Sequence, residues 1–364
     1  MSAQLLMTGF PGFLGSALLP RLLARREGLR AVCLVQPQHL AEARRRVREI
    51  EAAHPHMVDR LDLLEGDITA PHLGTDPSAR ADLEEVTEVW HLAAVYDLAV
   101  PERIAHAVNV DGTARVLEFC RSRPHFDRLQ YVSTCYVSGR YDGEFTEDGL
   151  DEGQPFRNHY ESTKYEAEML VRKAMADGLP ATIYRPGIVV GDSSTGETQK
   201  YDGPYFLATF LRRQLPVALV PAVGDADRVR VCVVPRDFVV GAMDELSVLD
   251  RSVGRTYALT DPNPPTVREL VNIFGSHLGK RVVWLPLPLG VTRLAVGSIP
   301  GMERLMGLPA EALDYFASPT TYATSNTTED LVGTGLVCPP FESYAGRLLD
   351  FMIEHPEIDA SAMA

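Results

Sequence analysis

One short segment restricts the fold of this chain more than any other: Thr8-Gly9-Phe10-Pro11-Gly12-Phe13-Leu14-Gly15. It follows a short apolar run at positions 4–8. It opens a helical pattern at positions 15–26, in which Leu18, Leu19, Leu22 and Leu23 share one face. Glycines at 9, 12 and 15 permit a tight turn, close approach of backbone to a pyrophosphate, and close contact between helix and strand. A glycine-rich turn can also serve packing alone. Its place between a strand and a helix turns the reading to dinucleotide binding, with Thr8 through Gly15 as the phosphate cradle.

The rest of the first half repeats this rhythm. Strand-like runs at 31–35, 61–65, 88–92, 128–133 and 181–185 alternate with helical patterns at 44–53, 108–121 and 160–176. Such alternation predicts an α/β fold, a Rossmann-like doubly wound parallel sheet. After Gly191 the pattern changes to a polar loop and then to Pro-, Gly- and Leu-rich sequence. The expected organisation is a nucleotide-binding domain at 1–191 and a smaller C-terminal substrate lobe at 192–227 and 263–364. Two strand-like pieces, 228–234 and 255–259, imply that the chain revisits the sheet within 228–262. Near the end, Phe341, Tyr344, Ala345, Leu348, Leu349 and Met352 fall on one helical face.

Composition bounds the partners. There are 35 Lys and Arg against 49 Asp and Glu, a formal charge of −14, which disfavours nucleic acid and anionic membrane surfaces. Five cysteines, none in a CxxC pair, read as reduced structural thiols, with no metal site expected. No basic leader precedes the first strand, and the apolar stretch at 282–299 is broken by Pro286, Pro288 and Arg293. A cytoplasmic protein without a transmembrane segment is expected, with a homodimer left open.

A second constellation carries chemistry. Tyr160 and Lys164 lie at i and i+4 on one helix face, and Ser133 and Thr134 end a strand. A tyrosine needs help to exchange protons near neutral pH; a neighbouring ammonium supplies charge, and a hydroxyl can hold the substrate oxygen. A YxxxK pair arises by chance on surface helices, but here it follows both a glycine-rich turn and a Ser-Thr strand end.

Together these residues resemble the extended short-chain dehydrogenase/reductase (SDR) superfamily. Further support comes from Gly66-Asp67-Ile68, His91-Leu92-Ala93-Ala94, Asn109-Val110-Asp111-Gly112-Thr113, Tyr131-Val132-Ser133-Thr134 and Arg185-Pro186-Gly187. The phrases TGFPGFLG, HLAAVYDL, YVSTCYVSG and RPGIVVGD are most similar to the branch of fatty acyl-CoA reductases and thioester reductase domains. The resemblance implies Thr134, Tyr160 and Lys164 as the catalytic triad, with Thr134 preferred to Ser133 as its hydroxyl. It implies Asp67 at the adenine, Ala93 and Ala94 along the ribose–nicotinamide path, and Ile68, Leu92, Asn109, Ser133, Arg185, Pro186, Gly187 and Val189 as further cofactor neighbours. His91 and Cys135 read more simply as packed residues, and His159 as part of the helix start.

The resemblance leaves the cofactor and substrate open. No acid stands at the end of the second strand, where NAD-preferring enzymes bind ribose hydroxyls, and the NADP-type arginine is replaced by Gln36. Arg44, in the run Arg44-Arg45-Arg46, is a candidate for a 2′-phosphate, and the reading leans to NADP over NAD. The expected activity is hydride transfer between the nicotinamide and a carbonyl, acyl thioester or hydroxyl of a largely apolar small molecule. Apolar walls from 284–306 could form its slot. Two alternatives stand beside it. One is a sugar-nucleotide epimerase, gripping a diphosphate with Arg212, Arg213, Arg228, Arg230 and Arg236; the other is a non-catalytic NAD(P) sensor.

Overall fold

The run of apolar residues in β1 (Gln4–Thr8) is buried on both faces, as a central strand of a parallel sheet requires. The computed structural model of the protein describes residues 4–25, 27–78, 83–96, 99–221, 225–285 and 318–358. From β1 the chain passes through α1 (Phe13–Ala24), β2 (Arg30–Val35), α2 (Leu40–Ala53) and β3 (Leu61–Glu65). It then crosses to β4 (Val86–His91) and continues through α3 (Glu102–Ala105), α4 (Gly112–Arg121), β5 (Arg128–Val132) and the short β6 (Glu144–Phe145). Helix α5 (His159–Ala176) leads to β7 (Ala181–Pro186) and β8 (Ile188–Val190).

The strands assemble as a seven-stranded sheet in the order β11-β7-β5-β4-β1-β2-β3, every described pair parallel, where β11 (Thr256–Leu259) is the late-returning edge. Strand order reverses between β1 and β4, and the crevice at their carboxyl ends is where such sheets bind ligands. Side chains alternate across the sheet. Leu5, Met7, Cys33, Trp90 and Tyr184 pack with α1 and α7 (Arg236–Ser247), while Leu6, Val32, Leu129, Tyr131 and Ile183 pack with α4 and α5.

Two elements differ from their sequence expectation. The 228–234 run forms only β10 (Val233–Pro235), which pairs with β8 in a separate two-stranded ladder. Its earlier residues bond instead to the segment before α8 (Val267–His277), through Val231 N–H to Pro265 O and Val267 N–H to Val229 O. The helix expected over 108–121 is α-helical only from Gly112; residues His106–Asp111 wind as a π-helix.

A second core gathers α6 (Pro204–Arg213), β9 (Val217–Pro221), α8 and α10 (Ala345–Glu354), with β12 (Arg281–Leu285) paired to β9. Phe341, Tyr344, Ala345, Leu348, Leu349 and Met352 are all buried in it. The short β13 (Thr321–Tyr322) pairs with β6, and α9 (Ser325–Asp330) packs on β11. Of the proposed slot at 284–306, positions 286–306 lie outside the described residues. No helix among the described residues is long and apolar enough to cross a membrane, and the five cysteines are buried free thiols.

Candidate active site

The glycine turn is shaped by contacts that leave no room for side chains. A Cβ on Gly9, whose φ is +86°, would lie 2.7 Å from the Leu92 carbonyl carbon. One on Gly12 or Gly15 would lie 2.7 Å from the Gly9 carbonyl oxygen. The turn closes through Gly12 N–H to Gly9 O at 3.0 Å, and no side chain caps the N-terminus of α1. Its first N–H groups and the positive end of the helix therefore remain for an anion. A dinucleotide pyrophosphate fits this cradle by backbone chemistry alone.

The turn opens on a cleft of about 430 Å³. Most of the residues singled out from sequence converge there: all of Thr8–Gly15, Gln36, Ile68, Leu92, Ala93, Ala94, Ser133, Thr134, Tyr160, Lys164, Pro186, Gly187 and Val189. Four do not line it, and each has a physical reason. Arg44 is exposed on α2, away from the lining. Asp67 turns its Oδ1 back to the Thr69 N–H at 2.7 Å, shaping its own loop. Asn109 is buried; it accepts from the Val95 N–H at 2.9 Å and donates to Thr163 Oγ1 at 3.0 Å, tying the 93–96 wall to α5. Arg185 is 1% exposed and donates to Glu168 at 2.6 Å and to the Gly149 carbonyl at 2.7 Å. Asp67, Asn109 and Arg185 are supports behind the wall rather than part of it.

The three residues of the expected triad meet in the cleft. Tyr160 is the second residue of α5, which Asn158 caps by accepting from the Glu161 N–H at 3.0 Å. Thr134 and Tyr160 line the cleft together, and the Thr134 hydroxyl pulls the Tyr160 phenol's pKa down. Burial outweighs that pull and raises the phenol's pKa above its ordinary value, so Tyr160 is protonated through the neutral range. Ser133 is turned away from this role, because its hydroxyl donates to Glu168 at 2.7 Å. The Lys164 ammonium donates to the Val132 carbonyl at 2.9 Å and to the Tyr131 hydroxyl at 3.1 Å. Burial lowers its pKa to about 7, opposed by the Glu168 charge.

Behind this wall runs a directional hydrogen-bond chain centred on His91. Thr113 Oγ1 donates to the Asn109 carbonyl at 2.6 Å, which leaves it to accept from His91 Nε2–H at 3.0 Å. His91 Nδ1 then accepts from the Thr8 hydroxyl at 2.7 Å, and Thr8 Oγ1 accepts from the Ala93 N–H at 3.2 Å. The imidazole is 1% exposed, and burial, aided by the Lys164 charge, lowers its pKa to about 3. Below about pH 6.5 the unfolded chain takes up a proton that the folded chain refuses, so stability falls with pH down to about 3. The slope for one such proton is about 1.4 kcal/mol per pH unit. His91→Gln is expected to remove that share, so wild type and variant should differ less at pH 5 than at pH 7 in urea unfolding; an unchanged difference would exclude the neutral histidine.

The comparison with known proteins follows from this geometry. The family model described as male sterility protein matches residues 7–243. The chain belongs to that family. The match places its glycine-turn sheet among the NAD-binding domains of the extended SDR type. A solved terminal R domain from the myxalamid PKS-NRPS biosynthetic pathway is 28% identical, covers 99% of this chain and 92% of its own, and superposes with a TM-score of 0.83. The isonitrile lipopeptide synthase of Streptomyces coeruleorubidus is 27% identical over 99% of this chain, which spans about 25% of that synthase's length. A UDP-glucuronic acid 4-epimerase from Bacillus cereus, 17% identical with a TM-score of 0.68 and covering 99% of both chains, shares the fold alone.

For a member of the male sterility family, several residues of this site were not evident from sequence. Glu168 continues the i, i+4 series of Tyr160 and Lys164 and is fully buried, holding Ser133, Arg172 and Arg185. That periodicity was a usable signal. His39, Tyr96, Tyr136, Thr198, Lys200 and Asp202 also line the cleft, and nothing in their local sequence marks them. None of the five arginines considered for a sugar diphosphate lines it; Arg236, for example, faces Asp192 and Glu197 at 3.8 and 3.6 Å.

Proposed function

We propose that this chain reduces the carbonyl of an acyl thioester or aldehyde, with Tyr160 as proton donor, Thr134 holding the carbonyl oxygen and Lys164 holding the nicotinamide ribose. The observation that carries the reading is the convergence of Thr134, Tyr160 and Lys164 in the same cleft as the glycine turn, with burial keeping the phenol protonated. A bound nicotinamide supplies the hydride. As charge develops on the carbonyl oxygen, the Thr134 hydroxyl and the Tyr160 O–H face it, and Tyr160 gives up its proton to the resulting alkoxide. The Lys164 charge favours the tyrosinate that this transfer leaves. The Thr8–Gly15 turn would hold the pyrophosphate, and Ala93 and Ala94 the nucleoside path.

The adenosine end favours NADP. Gln36 and His39 line the cleft after β2, and no carboxylate from this stretch faces it to repel a 2′-phosphate. The second core of α6, β9, α8, β12 and α10 is assigned to the substrate, which leaves the sheet to the cofactor. The relatives that carry this segment support a thioester, since a terminal R domain and a lipopeptide synthase are among them.

The direct experiment follows nicotinamide absorbance with NADPH and NADH against acyl thioesters, aldehydes and a UDP-sugar. Net oxidation of NADPH on thioester or aldehyde, faster than with NADH, is the expected result. Isomerisation of the UDP-sugar without net cofactor consumption would replace the reading by an epimerase, and tight binding with no turnover would replace it by a sensor.

A further inference from the structure

The lysine beside Tyr160 is held from behind by groups that carry no charge. Its ammonium has three N–H bonds to give. One goes to the Val132 carbonyl at 2.9 Å and one to the Tyr131 hydroxyl at 3.1 Å, which leaves the third for the cleft that Lys164 lines. Tyr131 is a fixed acceptor. It is 0% exposed on β5, in register with His91 of β4 on one side and Ile183 of β7 on the other. Its ring centre lies 5.7 Å from that of His91 and 4.7 Å from Lys164 Nζ.

A phenol in this place has an electrostatic consequence. Burial pushes the Tyr131 pKa well above its ordinary value, so the hydroxyl stays neutral and accepts without cancelling the ammonium charge. A carboxylate there would pair with Lys164 and neutralise it. The other ionisable groups that face Lys164 leave its charge in place too. His91 on β4 is neutral, and Tyr160 on the same helix is a protonated phenol. Glu168, one turn further along, supports the ammonium but is shared with Arg172 at 2.9 Å and Arg185 at 2.6 Å. The positive charge is therefore available to the tyrosinate left at Tyr160 when its proton is given up.

We infer that Tyr131 is a positioning residue for the reduction: its hydroxyl fixes and sustains the Lys164 ammonium and leaves one N–H for the cleft. This rests on the reductase reading above and adds to it a residue behind the cleft wall.

Tyr131→Phe tests this by removing the hydroxyl alone. Lys164 then lacks one of its two buried acceptors, and its charged form is less favoured. The loss in kcat/KM is expected to grow with pH, from about twofold at pH 6 to about tenfold at pH 8, as the basic limb moves down by about one unit. A packing defect would lower the rate by the same factor at both.

Lys164 can also be followed without turnover, because the chain has four lysines: Lys164, Lys173, Lys200 and Lys280. In NMR of the full chain labelled with [6-13C]lysine, Lys164→Arg assigns the signal. That signal should titrate about one unit lower in Tyr131→Phe than in wild type, with Lys173 unmoved. Urea unfolding reports that the variant is folded. In wild type, a nuclear Overhauser contact should join the Lys164 ε-protons to the Tyr131 ring, and its absence overturns the inference whether or not the variant folds. An unmoved Lys164 titration, or an equal loss at pH 6 and pH 8, also overturns it. If neither thioesters nor aldehydes consume NADPH, the reductase reading itself fails, and the titration still decides whether Tyr131 sustains the ammonium.

Discussion

Replacing Tyr160 with Phe is expected to lower turnover by about 10²- to 10⁴-fold, the usual contribution of a positioned general acid. The variant keeps the ring, and with it the edge-to-face contact to Tyr96 at 5.0 Å, so the wall should retain its shape. What it loses is the O–H that Thr134 faces. Cofactor affinity, read by fluorescence titration, should therefore change little while kcat falls. An equal loss of both would assign Tyr160 to packing. Turnover unchanged from wild type would remove it from the mechanism.

The largest effect on stability is expected from Arg185→Met. Arg185 and Glu168 are 1% and 0% exposed and lie 2.6 Å apart, and Glu168 also accepts from Ser133 and Arg172. Breaking such a pair from one side leaves a buried carboxylate short of its main partner, at a cost of about 3–5 kcal/mol. Urea unfolding checks this directly. The double variant Arg185→Met with Glu168→Gln should be less destabilised than Arg185→Met alone, because the stranded charge is gone. If the double loses as much as the sum of the singles, the pair is not coupled. The ion pair also has a bearing on the site. It anchors the helix face that carries Tyr160 and Lys164 to β7, while the Ser133 bond to Glu168 ties that face to the strand end that carries Thr134.

Much of the site was legible because its residues are fixed by local geometry. Gly12 and Gly15 are forced by close approach to the Gly9 carbonyl within one βα turn, Gly9 by its φ of +86°, and Tyr160 and Lys164 by one helical repeat. The roles of Arg185, Asp67 and Asn109 were not legible at this level. Their motifs place them near the cofactor, but the partners that turn them into supports come from distant segments, as with Arg185 and Glu168, or from a local loop closure, as with Asp67. Periodicity likewise found a strand pattern at 228–234, yet most of that run spends its backbone bonds on the loop before α8. A pattern of side chains does not say which neighbour supplies the ladder.

What the sequence alone determined is the nucleotide-binding unit: a parallel α/β sheet, a glycine cradle at its first turn, and a tyrosine and lysine one helical turn apart. Each is written in the spacing of residues close in the chain, where periodicity and stereochemistry suffice to read it. Only the tertiary structure decided which hydroxyl faces Tyr160, why Arg185 cannot reach the cleft, and that Lys200 and Asp202 stand in its wall. Those outcomes depend on burial and on pairings between segments far apart in sequence. The cost of leaving a buried charge or donor unpaired settles such pairings, and no local pattern records it.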